Sequence, residues 1–280
     1  MSEVQHGEYL LVRNMAESER LETQFKAWQV SIGYLLHPAI KQHDRMRIAD
    51  VGTGTGIWLR ELAAVLPATC QLDGFDISDV MFPSKDALPE NITFHHQNFL
   101  EPFPEEYLGE YDVVNVRVMV AALSHDEWEP AVQNLMTLLK PGGYLQWVDC
   151  AAHDCVVKGE PEGKRATNAR HGIDLLRRTL NSLGKTPHVA ALYGTFQNSG
   201  LESCEERIYT LDNPDTREDV NLTVAVAIQH ALTAALKTHK VDGIQSVDQL
   251  TTLREAMLSD LHSLGCYYCL DVYVVVGRKP

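Results

Sequence analysis

Residues 47–58, RIADVGTGTGIW, constrain the fold of this chain more than any other segment. A short apolar run leads into Gly52, Gly54 and Gly56, which are separated from one another by single threonines. Because glycine has no Cβ, this spacing allows another group to approach the backbone closely. In open parallel sheets, ligands bind beyond the carboxyl ends of the strands. The segment therefore predicts a buried strand followed by a binding loop.

The rest of the chain alternates between short apolar segments and segments of helical periodicity, which predicts strand–helix–strand crossovers. We expect an α/β fold with a Rossmann-like, seven-stranded, mostly parallel sheet that has helices on both faces. An N-terminal amphipathic helix is expected over residues 16–36 and a helical insertion over about residues 216–262. Strands are predicted in the segments MRIADVG, CQLDGFDIS, NITFHHQNF, YDVVNVRVMV, GYLQWVDC, ESCEERIYTL and CYYCLDVYVVVGR.

The charge balance limits the classes of partner. The chain has 280 residues, with 24 basic and 38 acidic side chains and a formal net charge of −14. Such a surface repels DNA, RNA and anionic lipid, so we expect neither a nucleic acid nor a membrane as a partner. The N-terminus has no apolar core of signal-peptide type, and no segment approaches the roughly 20 apolar residues of a membrane helix. These features predict a soluble, cytoplasmic protein.

The cysteines do not form a convincing metal-binding pattern. Cys266 and Cys269 form a CxxC pair, but a zinc site needs about four ligands. Cys150 and Cys155 would have to join the pair from far away in the sequence. The pair is better explained as small apolar residues at the start of the last strand. We therefore expect no metal site.

Two familiar glycine motifs do not match the loop at residues 52–56. A P-loop requires GxxxxGK[ST], and the chain has no such segment. A dinucleotide-binding loop requires GxGxxG, but Ile57 stands at the position of its third glycine. The segment DVGTGTG instead resembles the D/E-x-G-x-G-x-G motif of the Rossmann-like (class I) S-adenosylmethionine-dependent methyltransferases. The segments DGFDIS, QNFLEPFP, EYDVVNVRVMV and LLKPGGYLQW follow in the order that this family shows.

The resemblance implies S-adenosylmethionine as the cofactor. This molecule carries a sulfonium, an ammonium and a ribose diol but no phosphate, so acids at the strand ends suit it. The family pattern places an acid at the end of the second strand on the ribose hydroxyls and the segment after the third strand beside the adenine. Asn98 as a turn residue and Arg117 paired with Glu110 or Asp112 are the alternatives. The predicted cofactor-binding residues are Asp50, Gly52, Thr53, Gly54, Gly56, Asp76, Ile77, Asn98, Phe99 and Arg117.

The outer segments resemble methyltransferases of fungal secondary-metabolite clusters. There, an N-terminal helix of ERL…Q type caps the cofactor, although this chain has Gln24-Phe25 where QH is commoner. The resemblance implies a small organic acceptor, with oxygen expected first and nitrogen or sulfur as alternatives. A regulator that binds the cofactor without turnover, and a methyltransferase-like cyclase, also remain open. The oligomeric state is not predicted.

Candidate acceptor-side residues come from the fifth strand and the late helices. Strand alternation places Trp147 and Asp149 on one face, at the ligand edge of the sheet. His153 follows Asp149 by four residues, and a carboxylate beside it would favour its protonated form in a general base. Trp147 and His230 are predicted to contact the acceptor, with a core position as the alternative for His230.

One methyltransferase domain is expected to span the whole chain. Residues 1–44 would form a helical cap, residues 45–155 the cofactor-binding core, and residues 156–280 the remaining strands with the helical insertion. That insertion is expected to act as a lid over the acceptor, because a lid excludes water and fixes the reacting groups in line.

Overall fold

The computed structural model describes residues 15–185, 189–238 and 241–280. Residues 1–14 of the predicted cap and residues 239–240 of the predicted insertion lie outside the described chain. The helices are α1 (Met15–Ile32), α2 (Ile57–Ala63), α3 (Trp128–Leu138), α4 (Thr167–Ser182), α5 (Leu192–Asn198), α6 (Arg217–Thr238) and α7 (Val247–Leu264). The strands are β1 (Arg47–Val51), β2 (Gln71–Asp76), β3 (Ile92–His96), β4 (Tyr111–Arg117), β5 (Leu139–Cys150), β6 (Val156–Lys158), β7 (Glu202–Thr210), β8 (Tyr267–Cys269) and β9 (Asp271–Arg278).

The seven-stranded α/β sheet predicted from the sequence is confirmed. Its strand order is β3-β2-β1-β4-β5-β9-β7. The first five strands pair in parallel, whereas β9 runs antiparallel to both β5 and β7. The chain moves outward from β1 to β3 and then returns to the other side of β1 with β4. The strand order therefore reverses between β1 and β4, which is where open sheets of this kind bind ligands.

The segment CYYCLDVYVVVGR, predicted to be one strand, forms two. The register of β9 on β5 ends where Val272 faces Cys150, so residues before Asp271 run past the end of β5. They pair instead with a short strand that sequence patterning does not predict. In this two-stranded antiparallel sheet, β8 lies against β6, with Cys269 opposite Val156.

Strand alternation assigns the two faces of the main sheet to different helices. On one face, Ile48 and Val113 pack with Trp58 and Leu59 of α2. On the other face, residues of β4 and β5 pack with α3, including the fully buried Trp147. Polar residues near the strand ends are thereby buried as well, and their positions define the site described below.

The late helices pack together beside the carboxyl ends of the strands. Helix α6 contacts α1, α4, α7 and β8, and α4 also packs on α7. By length and composition alone, the helical segment Pro214–Lys237 would be long and apolar enough to cross a membrane, which the sequence analysis did not expect. Its contacts in this structure are those of a core helix, because its apolar residues pack on the neighbouring helices.

Candidate active site

A cleft opens at the carboxyl ends of β1, β2 and β4, and α1 closes it from one side. We call it the glycine-loop cleft. It encloses about 910 Å³ including its open mouth, which suits a small-molecule ligand. The predicted cofactor residues Asp50, Gly52, Thr53, Gly54, Asp76, Ile77, Phe99 and Arg117 line it, together with Leu21, Gln24, Phe25, Met81, Val118 and Met119.

The glycine loop is fixed by hydrogen bonds to β2. The backbone N–H groups of Gly52 and Thr53 donate to the Phe75 carbonyl oxygen at 2.8 and 3.0 Å. Gly54 has φ +55°, and a Cβ at this position would stand in the cleft, 3.7 Å from Leu21 and 3.8 Å from Met81. A side chain here would therefore occupy ligand space, as a binding loop predicts.

Gly56 has a different reason to be glycine. It precedes α2 with φ +68°, and a Cβ would lie 2.3 Å from the Phe94 ring. Gly56 therefore serves the packing of the loop on β3, and it is not among the residues that line the cleft. Asn98 does not line the cleft either, because its Oδ1 accepts a hydrogen bond from the Leu100 N–H at 3.1 Å. It makes the turn that the sequence allowed as the alternative.

Asp76 joins the ends of β1 and β2. Its Oδ2 accepts a hydrogen bond from the Gly54 N–H at 2.9 Å, and its Oδ1 accepts one from the Ser78 N–H at 3.1 Å. A carboxylate can accept more than two hydrogen bonds, as a ribose diol requires. Ile77, Met81 and Phe99 add apolar surface next to this carboxylate, which suits a flat base.

Asp50 is buried at the base of the cleft and begins a polar ladder across the sheet. Its carboxylate accepts hydrogen bonds from Thr53 Oγ1 and Asn115 Nδ2, both at 2.8 Å. Asn115 Oδ1 accepts from Gln146 Nε2 at 2.8 Å, and Gln146 Oε1 accepts from the His37 N–H at 2.7 Å. Burial raises the pKa of Asp50 to about 6, although the two donors oppose the shift. Asp50 is therefore largely ionised near neutral pH.

Arg117 brings a positive charge to the same cleft. Its guanidinium lies over the Phe25 ring at 4.5 Å from the ring centroid, a cation–π contact. Burial lowers its pKa to about 10, while Asp50 and Asp149 favour the charged form. The alternative of a pair with Glu110 or Asp112 is wrong, because those acids pair with Arg47 and Lys140.

The turn after β4 is strained and is held by Asp149. Val118 has φ +58°, an unusual value for a β-branched residue, and it lines the cleft. The next N–H, that of Met119, donates to Asp149 Oδ2 at 2.7 Å, and Trp147 Nε1 donates to the same oxygen at 3.1 Å. Burial raises the pKa of Asp149 to about 6. Asp149 thus anchors the cleft wall rather than facing a reacting group.

The predicted pair of Asp149 and His153 is not formed. His153 Nε2 lies 3.0 Å from Asn181 Oδ1 on α4, while Asp149 is occupied by the groups just described. Trp147 is fully buried and stacks on Trp128 at 5.3 Å between ring centroids, so it does not line an acceptor site. Strand alternation placed Trp147 and Asp149 on one face correctly, but α3 covers that face.

A second cavity, which we call the helical cavity, adjoins the glycine-loop cleft. Gln24 lines both. The helical cavity encloses about 510 Å³ including its opening, and its surface is mostly apolar. Its walls come from α1, α4, α6 and the segments that follow β5 and precede β9: Arg20, Gln24, Trp28, Cys150, Ala152, Cys155, Ile173, Leu176, Thr223, Val224, Ala227, Ile228 and Leu270.

His230 belongs to a polar network behind the wall of the helical cavity. Its Nδ1 lies 2.8 Å from Glu17 Oε2. Arg20 donates to both oxygens of Glu17, at 2.8 and 2.6 Å, and to Gln24 Oε1 at 2.6 Å. Burial would raise the pKa of Glu17, but Arg20 and His230 hold it below its ordinary value. His230 is not among the residues that line either cavity, so the core alternative describes it better than acceptor contact.

Sequence reasoning missed several lining residues for a shared reason. Leu21, Phe25 and Trp28 were recognised only as the apolar face of α1, and Met119 carries no signal of its own. Helical spacing does relate Arg20, Gln24 and Trp28, but only the position of α1 turns that spacing into a cavity wall. Within the described ranges, no three His, Cys, Asp or Glu side chains are grouped to hold a metal ion.

Known proteins agree with this site. A family model described as a methyltransferase domain matches residues 22–206. The chain is 32% identical to methyltransferase grgD of a Penicillium species, with 98% of each chain covered. It is 32% identical to N-methyltransferase gliN of Aspergillus fumigatus, covering 97% of this chain and 96% of the relative. It is 30% identical to N-methyltransferase tcpN of Claviceps purpurea, with 95% of each covered.

Solved structures share the fold at low identity. A phosphoethanolamine N-methyltransferase of Haemonchus contortus, in complex with S-adenosylhomocysteine, matches with a TM-score of 0.55 and 14% identity over 100% of this chain and 61% of that one. The loop, the acids at the strand ends and the apolar surface beside Asp76 fit S-adenosylmethionine, because a Cβ at Gly54 would fill the space left for it. With the family match over most of its length, this chain belongs to the S-adenosylmethionine-dependent methyltransferases of the Rossmann-like class.

Proposed function

We propose that this protein transfers the methyl group of S-adenosylmethionine to a nitrogen of a small, largely apolar organic molecule bound in the helical cavity. The observation that carries the proposal is the contact of two unlike cavities at Gln24. The glycine-loop cleft has the charged groups that a cationic cofactor needs, and the helical cavity has the apolar walls that a small metabolite needs. Their adjacency allows the two ligands to meet.

The lining of the helical cavity favours an acceptor that needs no base. Among the described residues, neither a carboxylate nor an imidazole lines it. Burial raises the pKa of the Cys155 thiol to about 12 and that of Cys150 well above its ordinary value, so neither thiol accepts a proton near neutral pH. A neutral amine can attack with its own lone pair, whereas a phenol must first lose a proton. This favours nitrogen over the oxygen that the sequence analysis expected.

The names of the relatives support the same choice. The gliN and tcpN proteins are both named N-methyltransferases and align with nearly the whole chain. Transfer to this chain of what they methylate is part of the proposal. The O-methyl alternative, the regulator without turnover and the cyclase become outcomes of the experiment below.

The protein's own groups bind and orient. Asp76 would hold the ribose hydroxyls, Asp50 would attract the positive charges, and Arg117 would meet an anionic group such as the cofactor carboxylate. When bound, S-adenosylmethionine supplies a methyl group already activated by its sulfonium. Orientation therefore supplies most of what the enzyme adds, and α6 contributes by walling the acceptor from water.

The wider assignments follow from this function. We take residues 1–280 as one methyltransferase domain, with residues 45–155 as the cofactor-binding core and α6 and α7 as its lid. The partner is a small-molecule acceptor, and neither nucleic acid nor a membrane is part of the proposal. A cytoplasmic location suits such an enzyme, because its cofactor is an intracellular metabolite.

The test is a turnover screen of the purified full chain with S-adenosylmethionine and matched aromatic amines, phenols, carboxylic acids and thiols, with and without EDTA. Mass spectrometry of the products and release of S-adenosylhomocysteine are measured. Methylated amines that form equally well with EDTA are expected. Methylated phenols alone would assign the oxygen alternative. Tight cofactor binding with no methylated product in any class would favour the regulator or the cyclase.

A further inference from the structure

Gln24 occupies the boundary between the two cavities. It lies on α1, is buried to 8% exposure, and lines both the glycine-loop cleft and the helical cavity. A buried amide carries two donors and an acceptor that need partners. Its orientation therefore decides what it offers to a ligand.

Arg20 fixes that orientation. Arg20 Nη1 donates to Gln24 Oε1 at 2.6 Å, and because a guanidinium can only donate, the amide oxygen must face Arg20. The amide nitrogen then points away from Arg20. None of the described residues accepts a hydrogen bond from Gln24 Nε2, so its N–H groups are available at the cavity boundary.

Arg20 is held in its turn. Its guanidinium makes a bidentate pair with Glu17, at 2.8 and 2.6 Å, and the two side chains are 4% and 1% exposed. His230 of α6 contacts the same carboxylate. Bidentate pairs restrict geometry as well as adding energy. The network therefore presents the Gln24 amide in one orientation, with its donors toward the ligands.

We infer that Gln24 is an acceptor-binding residue whose Nε2 donates a hydrogen bond to an oxygen of the acceptor. The inference rests on the proposed function, because it needs an acceptor in the helical cavity. It narrows the acceptor to an amine that also carries a carbonyl or similar oxygen on the same small apolar frame. The hydrogen bond would turn the nitrogen toward the glycine-loop cleft, and Arg20 and Glu17 act as positioning residues through Gln24.

The decisive variant is Gln24→Glu. It keeps an oxygen for Arg20 but replaces the N–H donor by an acceptor. Gln29→Glu is the matched control, because it makes the same change on α1 at a residue that lines neither cavity. Gln24→Met removes the donor without adding charge, and it covers the case in which the glutamate variant folds poorly. Circular dichroism and thermal unfolding check that each variant is folded.

The probes are 3-aminoacetophenone and 3-ethylaniline, which share size and amine but differ in the carbonyl. Calorimetry on the full chain saturated with S-adenosylhomocysteine measures their affinities. The parent and Gln29→Glu are expected to bind the ketone about tenfold more tightly, as one buried hydrogen bond allows. Both Gln24 variants are expected to lose this preference and to keep their affinity for S-adenosylhomocysteine within about threefold.

Equal binding of the two probes by the parent, or binding of neither, would overturn the inference. A loss of S-adenosylhomocysteine affinity in both Gln24 variants, with the probe preference retained, would assign the donor to the cofactor and also overturn it. The proposed function fails separately, if the amine screen yields no methylated amine although the probe preference depends on Gln24.

Discussion

The glycine-loop cleft and the helical cavity share one side chain, Gln24, but they are built in different ways. The cleft is made by the ends of neighbouring parallel strands and the loops that leave them, with backbone N–H groups tied to Phe75 and Asp76. The helical cavity is made by side chains from α1, α4 and α6, which are distant in sequence. Recognition of the cofactor is thus encoded in short segments, whereas choice of acceptor depends on how separate helices meet.

The strongest test of this difference is Gly54→Val. The valine would combine an unfavourable φ with a side chain in ligand space, so cofactor affinity should fall by about 100-fold or more. Calorimetry with S-adenosylhomocysteine measures the effect. The control is Gly109→Val, since Gly109 has φ +70° but open space around its Cβ position. Normal binding by Gly54→Val would reduce the loop to a simple turn.

Asp76→Ala should weaken cofactor binding next most strongly. Ribose hydroxyls would lose their charged acceptor at a cost of roughly 1–3 kcal/mol, or about 5- to 150-fold in Kd. The same titration is compared with Asp79→Ala, an exposed acid on the same loop. If Asp76→Ala and the parent bind equally, Asp76 does not belong to the ribose site.

The complementary change is Ala227→Phe in the helical cavity. The added ring would fill acceptor space on α6, so kcat/KM for bulky acceptors should fall by about tenfold or more, while cofactor affinity stays the same. Ala234→Phe on the same helix, away from both cavities, is the control. An equal loss of cofactor affinity would show that the two cavities are not independent.

The pH dependence of binding should distinguish the charges of the cleft. Burial raises the pKa of Asp50 to about 6, so Asp50 loses its negative charge as the pH falls through that value. S-adenosylmethionine, which has the sulfonium charge, should then lose about three- to tenfold more affinity than S-adenosylhomocysteine between about pH 7 and pH 5. Paired calorimetric titrations measure the ratio. A ratio that does not change with pH would remove Asp50 from the electrostatics of cofactor binding.

His153→Gln should have the smallest effect. The structure places His153 on Asn181 and away from Asp149, so the methylation rate should stay within about twofold of the parent at every pH, far from the 100-fold loss expected for a general base. Steady-state rates across the pH range decide the point. A large loss confined to the rate would return His153 to the reaction.

These contrasts explain what could be predicted from the sequence. The glycine loop and Asp76 act through neighbours within about one strand–helix–strand unit, so local patterns were sufficient. Trp147 and Asp149 show the limit. Period-two alternation gave their common face, but whether that face met a ligand or α3 depended on a helix earlier in the chain. The break of the last strand at Leu270 likewise depended on where β5 ends.

The polar ladder beneath the cleft has a consequence for how this sequence can diverge. Asp50, Asn115 and Gln146 are adjacent in register on three neighbouring strands, and each amide donates toward Asp50 and accepts from the side away from it. Replacing one member alone leaves a buried donor or acceptor unmatched, which costs roughly 1–3 kcal/mol. Descendants of this chain should therefore keep or exchange the three residues as a set, and a drift at one position should be accompanied by a compensating change on the next strand.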